Sequence, residues 1–187
     1  AVNSNVSYNF GYLDGSNVNW PQNFTLFAIY YNKSNADDYW YNHYSSYHLV
    51  KIGNTTTTGE GEISLGGSST YTATGAKVTK DTWQRIIITG AASSTTQGAS
   101  TNYKVYVDGV ETGSCTATGI VGYALKSGTS YNFAYSSYTT GYFLELGVIS
   151  SVLNGSQLAE LDGHLQHRLN GSTAAFDNEF FGDSDKV

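Results

Sequence analysis

Glu60 and Glu62, in the run GEGEISLG, stand two residues apart and would share one face of a strand. Two carboxylates so placed can act on a glycosidic bond, provided they lie roughly 5 to 5.5 Å apart for a retaining mechanism. Solvated charges on a sheet edge have the same spacing. His164 and His167 fall three apart on a helical pattern, which permits a shared metal. No third ligand accompanies them, so a structural or capping role near a helix C-terminus is the plainer reading. Asp37 and Asp38, with Asn35 and Asn42 nearby, offer the oxygen ligands that calcium takes, and Asp14-Gly15-Ser16-Asn17 is a second turn of that kind. Both also read as ordinary Asx turns without spaced calcium ligands. No cofactor is required by any of these groups; calcium at Asp37 and Asp38 is the metal the residues allow.

The densest group is aromatic: Asp38, Tyr39, Trp40, Tyr41, His43 and Tyr44, followed by Tyr47. Flat rings stack on sugar faces while Asp and Asn accept and donate hydrogen bonds, so this stretch is the candidate glycan site. The alternative is that the rings fill a core or contact a neighbouring subunit, where Tyr is also favoured. The stretch SNADDYWYNHYSSYH has little periodicity and reads as a loop between two strands.

Composition limits the classes. In 187 residues there are 21 Gly, 16 Tyr and one Pro, a balance that favours short strands and polar turns in an all-β domain. Charged residues make up 13% and the net charge is −6, so there is no basic surface for nucleic acid or for an anionic membrane. No run approaches the about 20 apolar residues of a membrane span. The start, AVNSNVSYNF, lacks the charged and apolar parts of a secretory leader, as expected of a processed chain or a piece of a longer one. Cys115 is the one cysteine, which excludes an internal disulfide. Glycosylation sequons stand at Asn5, Asn23, Asn32, Asn54, Asn154 and Asn170, against roughly four expected by chance in a chain this rich in Asn, Ser and Thr.

The elements that must position these groups follow from periodicity. Phe24 to Tyr31 (FTLFAIYY) is apolar on both faces apart from Thr25 and reads as a central strand; Tyr142 to Ile149 (YFLELGVI) reads as a second. Leu49 to Ile52, Trp83 to Thr89, Tyr103 to Asp108 and Tyr131 to Tyr135 are further strands, and Gly59 to Ala76 is a meander of weak register. AASSTTQGAST is a small-residue loop that need not pack. Asp108-Gly109 predicts a two-residue hairpin turn. A helix begins with Asn154 as cap and Gln157 completing a capping box. Leu158, Leu161, Leu165 and Leu169 form its apolar stripe, and Asn170-Gly171 offers a stop. The domain is thus expected over 1–171, with 172–187 a tail that docks in part through Phe176, Phe180 and Phe181.

The order DTWQRIIITG, a variable loop, NYKVYVDGVETG, Gly/Tyr-rich strands and YFLELGVISSVLNGSQLAELDGHLQHRL resembles the laminin-G-like jelly rolls of the concanavalin-A-like superfamily. A Trp-bearing strand (Trp83) leads to one ending in Tyr106, Val107, Asp108 and Gly109, and a last strand runs into a short helix. The segment LAELDGHLQHRL is similar to the ending of such domains in phage structural and bacterial surface proteins, with His167 at their histidine and His164 in place of their tyrosine. The resemblance spans about Asn23 to Gly171.

It implies an all-β, two-sheet antiparallel jelly-roll sandwich with one short C-terminal helix. It implies no single function, since such folds serve lectins, glycosidases and adhesive modules. The Glu-X-Asp-X-(X)-Glu run of the catalytic branch is missing here. The expectation is a non-enzymatic domain at an extracellular or virion surface, for structure, decoration or adhesion with glycan contact. Its partners would be glycans or cell-surface polysaccharide, virion or surface-assembly proteins, or further copies of itself. A hydrolase or lyase with a different site, and a purely structural assembly subunit, are the alternatives.

Overall fold

The computed structural model describes residues 18–33, 37–44, 47–53, 59–66, 70–119, 121, 124–125 and 141–179, with backbone only at 18–19, 41–44, 47–48, 124–125 and 172–179. The strands are β1 Val18–Asn19, β2 Asn23–Tyr31, β3 Asp38–Tyr44, β4 Tyr47–Ile52, β5 Glu60–Leu65, β6 Thr72–Thr79, β7 Trp83–Ala92, β8 Ser100–Val107, β9 Val110–Thr118, β10 Ala124–Leu125 and β11 Tyr142–Ile149, and helix α1 is Gly155–Glu179. They form a five-stranded sheet in the order β11-β2-β7-β8-β9, a four-stranded sheet in the order β3-β4-β5-β6, and a small β1-β10 ladder. Every pairing is antiparallel. The two larger sheets pack face to face as a jelly-roll sandwich.

Alternation in β2 explains the layering. Phe24, Leu26, Ala28 and Tyr30 point into the inter-sheet core with Trp40, Val50, Ile52, Ile63, Leu65, Val78, Ile86, Ile88 and Val105. The other face of the same strand carries Phe27 and Ile29, which meet Ile87, Leu165 and Leu169 beneath the helix. The sequence expectation of a strand covered on both sides is met, and the cover is α1. Each fully buried Leu or Ile at this second interface contributes about 1.5 to 3 kcal/mol. Thr25, the polar exception, is fully buried: its hydroxyl donates to Ser151 O at 2.8 Å and accepts from Leu153 N at 3.1 Å, tying down the β11–α1 connection.

The helix cap is as expected, since Gln157 N donates to Asn154 Oδ1 at 3.1 Å and Asn154 N to Gln157 Oε1 at 3.0 Å. The Asp108-Gly109 turn has positive φ at both residues (51° and 82°). Three expectations need correcting. The helix continues through Asn170-Gly171 to Glu179, so His164 and His167 lie in its middle and cap nothing. Among the described strands β11 is an edge, half-buried except at exposed Val148, because it pairs only with β2. The small-residue loop shrinks to 93–99 and is hydrogen-bonded internally, with Ser93 N donating to Ser100 O and Ala99 N to Thr96 O, because β7 and β8 extend into it. The Tyr131 to Tyr135 strand, Phe180 and Phe181 lie outside the described residues, and Phe176 is described in backbone only.

Candidate site on the outer face of the four-stranded sheet

The aromatic stretch is a strand, not a loop. β3 pairs with β4 through Asp38↔Ile52, Tyr39↔Lys51 and Trp40↔Val50. Period-two alternation therefore sends neighbouring side chains to opposite faces, and the single surface expected from composition is divided.

Trp40 goes inward. It is fully buried and packs edge-on against Tyr30 (ring centroids 4.6 Å apart) and Phe143 (5.1 Å), so its faces are not available to a sugar. Asp38 also goes inward and is fully buried. Its Oδ2 accepts the Tyr30 hydroxyl and, at 3.2 Å, the Gly141 amide. A buried carboxylate requires such donors. Burial, and then the Asp38 charge, hold the Tyr30 hydroxyl well above its ordinary pKa. Gly141 is required for this contact: a Cβ there would lie 2.3 Å from the Tyr30 ring. Asp38 is thus a tether from β3 to the opposite sheet, and as a glycan contact or calcium ligand it is withdrawn.

Tyr39 goes outward. Cross-strand register aligns Tyr39, Lys51, Ser64 and Ala73 across the four strands on the solvent face. The Tyr39 ring lies 5.9 Å from that of Tyr71, two residues before Ala73, at 56° between planes. Lys51 Nζ reaches Asp37 Oδ2 at 2.8 Å, with side-chain exposures of 30% and 36%, and the Tyr39 hydroxyl is 3.5 Å from the same oxygen. The Asp37 hydrogen bond raises the Lys51 pKa, keeping it charged. The result is two half-buried rings beside a partly exposed ion pair. Neither Tyr71 nor Lys51 was marked by local sequence, since only the β3-β4-β5-β6 pairing brings Tyr71 to Tyr39. Tyr41, His43 and Tyr44 belong to β3, and their side chains lie outside the description.

The remaining candidates resolve separately. With Asp37 already facing a lysine, calcium has no support there, and no group of three His, Cys, Asp or Glu able to hold a metal occurs among the described residues. Asn35 and the Asp14 turn lie outside them. His164 Nε2 is 3.2 Å from Glu145 Oε1, whose other oxygen accepts Arg168 Nε at 3.0 Å, so this histidine belongs to a polar cluster between α1 and β11. Glu60 pairs with Lys77 at 3.0 Å and Glu62 accepts Gly75 N at 3.3 Å, both on the exposed surface of β5. Of the sequons, Asn32 is fully buried and is removed from the glycosylation candidates, whereas Asn23, Asn154 and Asn170 are exposed. Asn5 and Asn54 lie outside the described residues. Cys115 is a half-buried free thiol whose pKa burial raises. No described helix is long and apolar enough to cross a membrane.

The chain is therefore an antiparallel jelly-roll sandwich with a helix sealing one outer face and an aromatic, ion-paired patch on the other. No protein-family model matches the sequence, and no curated protein does. Among solved structures it is similar to a heptameric SAP-like pentraxin from Limulus polyphemus, at TM-score 0.49 and 14% identity over 77% of this chain and 76% of that one. It is similar also to the botulinum neurotoxin type G receptor binding domain, at 0.47 and 11% over 77% of this chain and 38% of that one. A third is Trypanosoma rangeli sialidase, at 0.45 and 14% over 75% of this chain and 22% of that one.

Proposed function

We propose that this chain is a non-enzymatic carbohydrate-binding domain, working in adhesion or decoration where glycans are displayed, at an extracellular or virion surface. The observation that carries the reading is the Tyr39–Tyr71 ring pair beside Asp37 and Lys51 on the solvent face of the four-stranded sheet. Aromatic faces stack on the C–H faces of sugars, and an adjacent carboxylate and ammonium exchange hydrogen bonds with hydroxyls. The opposite outer face is occupied by α1. The exposed glutamates Glu60 and Glu62 are engaged in cross-strand contacts of the sheet, which supports binding over catalysis.

The test is a glycan array probed with the full chain and with a Tyr39→Ala, Tyr71→Ala double variant, alongside a reducing-end assay on soluble polysaccharides. Binding lost in the variant with no sugar released is the expected result. Release of reducing ends would replace this reading with a hydrolase. A folded protein that binds nothing on the array would leave assembly between subunits as the role of the domain.

A further inference from the structure

We infer that the patch at Tyr39 and Tyr71 selects uncharged, soluble glycan chains that turn from one sugar to the next, in preference to acidic glycans or to the flat face of a crystalline polysaccharide. The inference rests on the glycan-binding reading above and adds the class of ligand.

Charge sets the first part. Lys51 is matched by Asp37 at 2.8 Å and Lys77 by Glu60 at 3.0 Å, so among the described residues both lysines of this face have carboxylates on them. Exposed Glu62 adds a further negative charge on β5. An anionic sugar that accepts from either ammonium comes to lie beside the carboxylate already paired with it and is repelled by that charge. The chain as a whole carries −6, which repels polyanions before contact. A neutral hydroxyl, by contrast, can accept from Lys51 and donate to Asp37 without breaking their pairing.

Ring geometry sets the second part. A flat crystalline face needs coplanar platforms, and the planes of Tyr39 and Tyr71 are inclined by 56°. With centroids 5.9 Å apart, the rings are too close and too tilted to lie on one plane, yet each can take the face of one of two successive sugars. A chain that rotates between those sugars satisfies both rings.

Isothermal titration of the full chain tests this with laminarihexaose and maltohexaose as neutral turning chains, microcrystalline cellulose as a flat neutral surface, and heparin and polygalacturonate as acidic chains. The expected result is binding to a neutral hexasaccharide that changes less than about twofold between about 50 and 500 mM salt. That binding should fall by about tenfold or more in Tyr39→Ala and in Tyr71→Ala, and survive in Tyr39→Phe and Tyr71→Phe. Circular dichroism of each variant checks that the sandwich is intact. Tighter binding to heparin or polygalacturonate with steep salt dependence, or preferential binding to cellulose, in each case lost in the Ala variants, overturns the ligand class and leaves the site standing. Binding to none of the probes, or binding that the Tyr39→Ala, Tyr71→Ala double variant retains, overturns the site and this inference together.

Discussion

Arg85 of β7 and Asp162 of α1 form a two-point ion pair, Nε to Oδ1 at 2.8 Å and Nη2 to Oδ2 at 3.3 Å, across the interface of sheet and helix. The arginine side chain is 10% exposed and the aspartate 20%, so the pair is largely removed from water. Nη1 donates in addition to Gln166, and Asp108 of the hairpin turn lies 3.5 Å from the same atom. One guanidinium therefore fixes the helix and the β8–β9 turn relative to β7. Removing Asp162 leaves a largely buried guanidinium with the longer Asp108 contact as its ion pair, and the loss of the close partner costs more than the pair contributes. Asp162→Ala is expected to lower unfolding free energy by about 3 kcal/mol in urea titrations, while Tyr39→Ala, at a half-buried position of the outer face, should cost less than that.

Gly113 of β9 sits where the two sheets approach at their edges. A Cβ there would lie 2.5 Å from Thr74 O and 2.6 Å from Ala76 N, both backbone atoms of β6. Backbone cannot yield as a side-chain tip can, so Gly113→Ala should destabilise by about 2 kcal/mol. Gly163, inside α1 with nothing within 4 Å of where a Cβ would stand, gives the opposite result. Gly163→Ala should raise stability by about 1 kcal/mol, measured in the same titration.

Asn154 caps the helix through its side-chain oxygen, which accepts from Gln157 N at 3.1 Å and Ser156 Oγ at 2.8 Å. Asn154→Ala should cost about 1 kcal/mol, and Asn154→Asp, which keeps the acceptor and adds favourable charge at the helix start, should cost little or nothing.

Alkaline pH should unfold the domain cooperatively. Burial pushes the hydroxyls of Tyr30 and Tyr103 above their ordinary pKa of 10.0, with Asp38 adding to the effect at Tyr30. Above about pH 10 the unfolded chain loses these protons while the folded chain retains them, so the folded state binds more protons and stability falls as pH rises. The stabilisation is whole below the unfolded pKa. Absorbance at the tyrosinate band should show exposed tyrosines ionising gradually and the buried ones only with loss of the near-ultraviolet circular dichroism signal. Gradual ionisation of all of them, ahead of unfolding, would contradict the buried placement.

The all-β class, the central strand at Phe24 to Tyr31, the Asp108-Gly109 turn and the Asn154 cap with its leucine stripe are local properties, and the sequence alone determined them. Each depends on periodicity or on residues three or four apart. What only the tertiary structure decided is which face each residue joins and what lies opposite it. Trp40 and Tyr39 are adjacent in sequence, and a strand assignment alone separates them into core and surface. Asp38, read as a polar surface ligand, is buried because Tyr30 and Gly141, 8 and 103 residues away, supply its donors. Tyr71 joins Tyr39 only through two intervening strands. Pairing between distant segments depends on the whole arrangement of the core, so a site assembled across four strands is not written in any one of them.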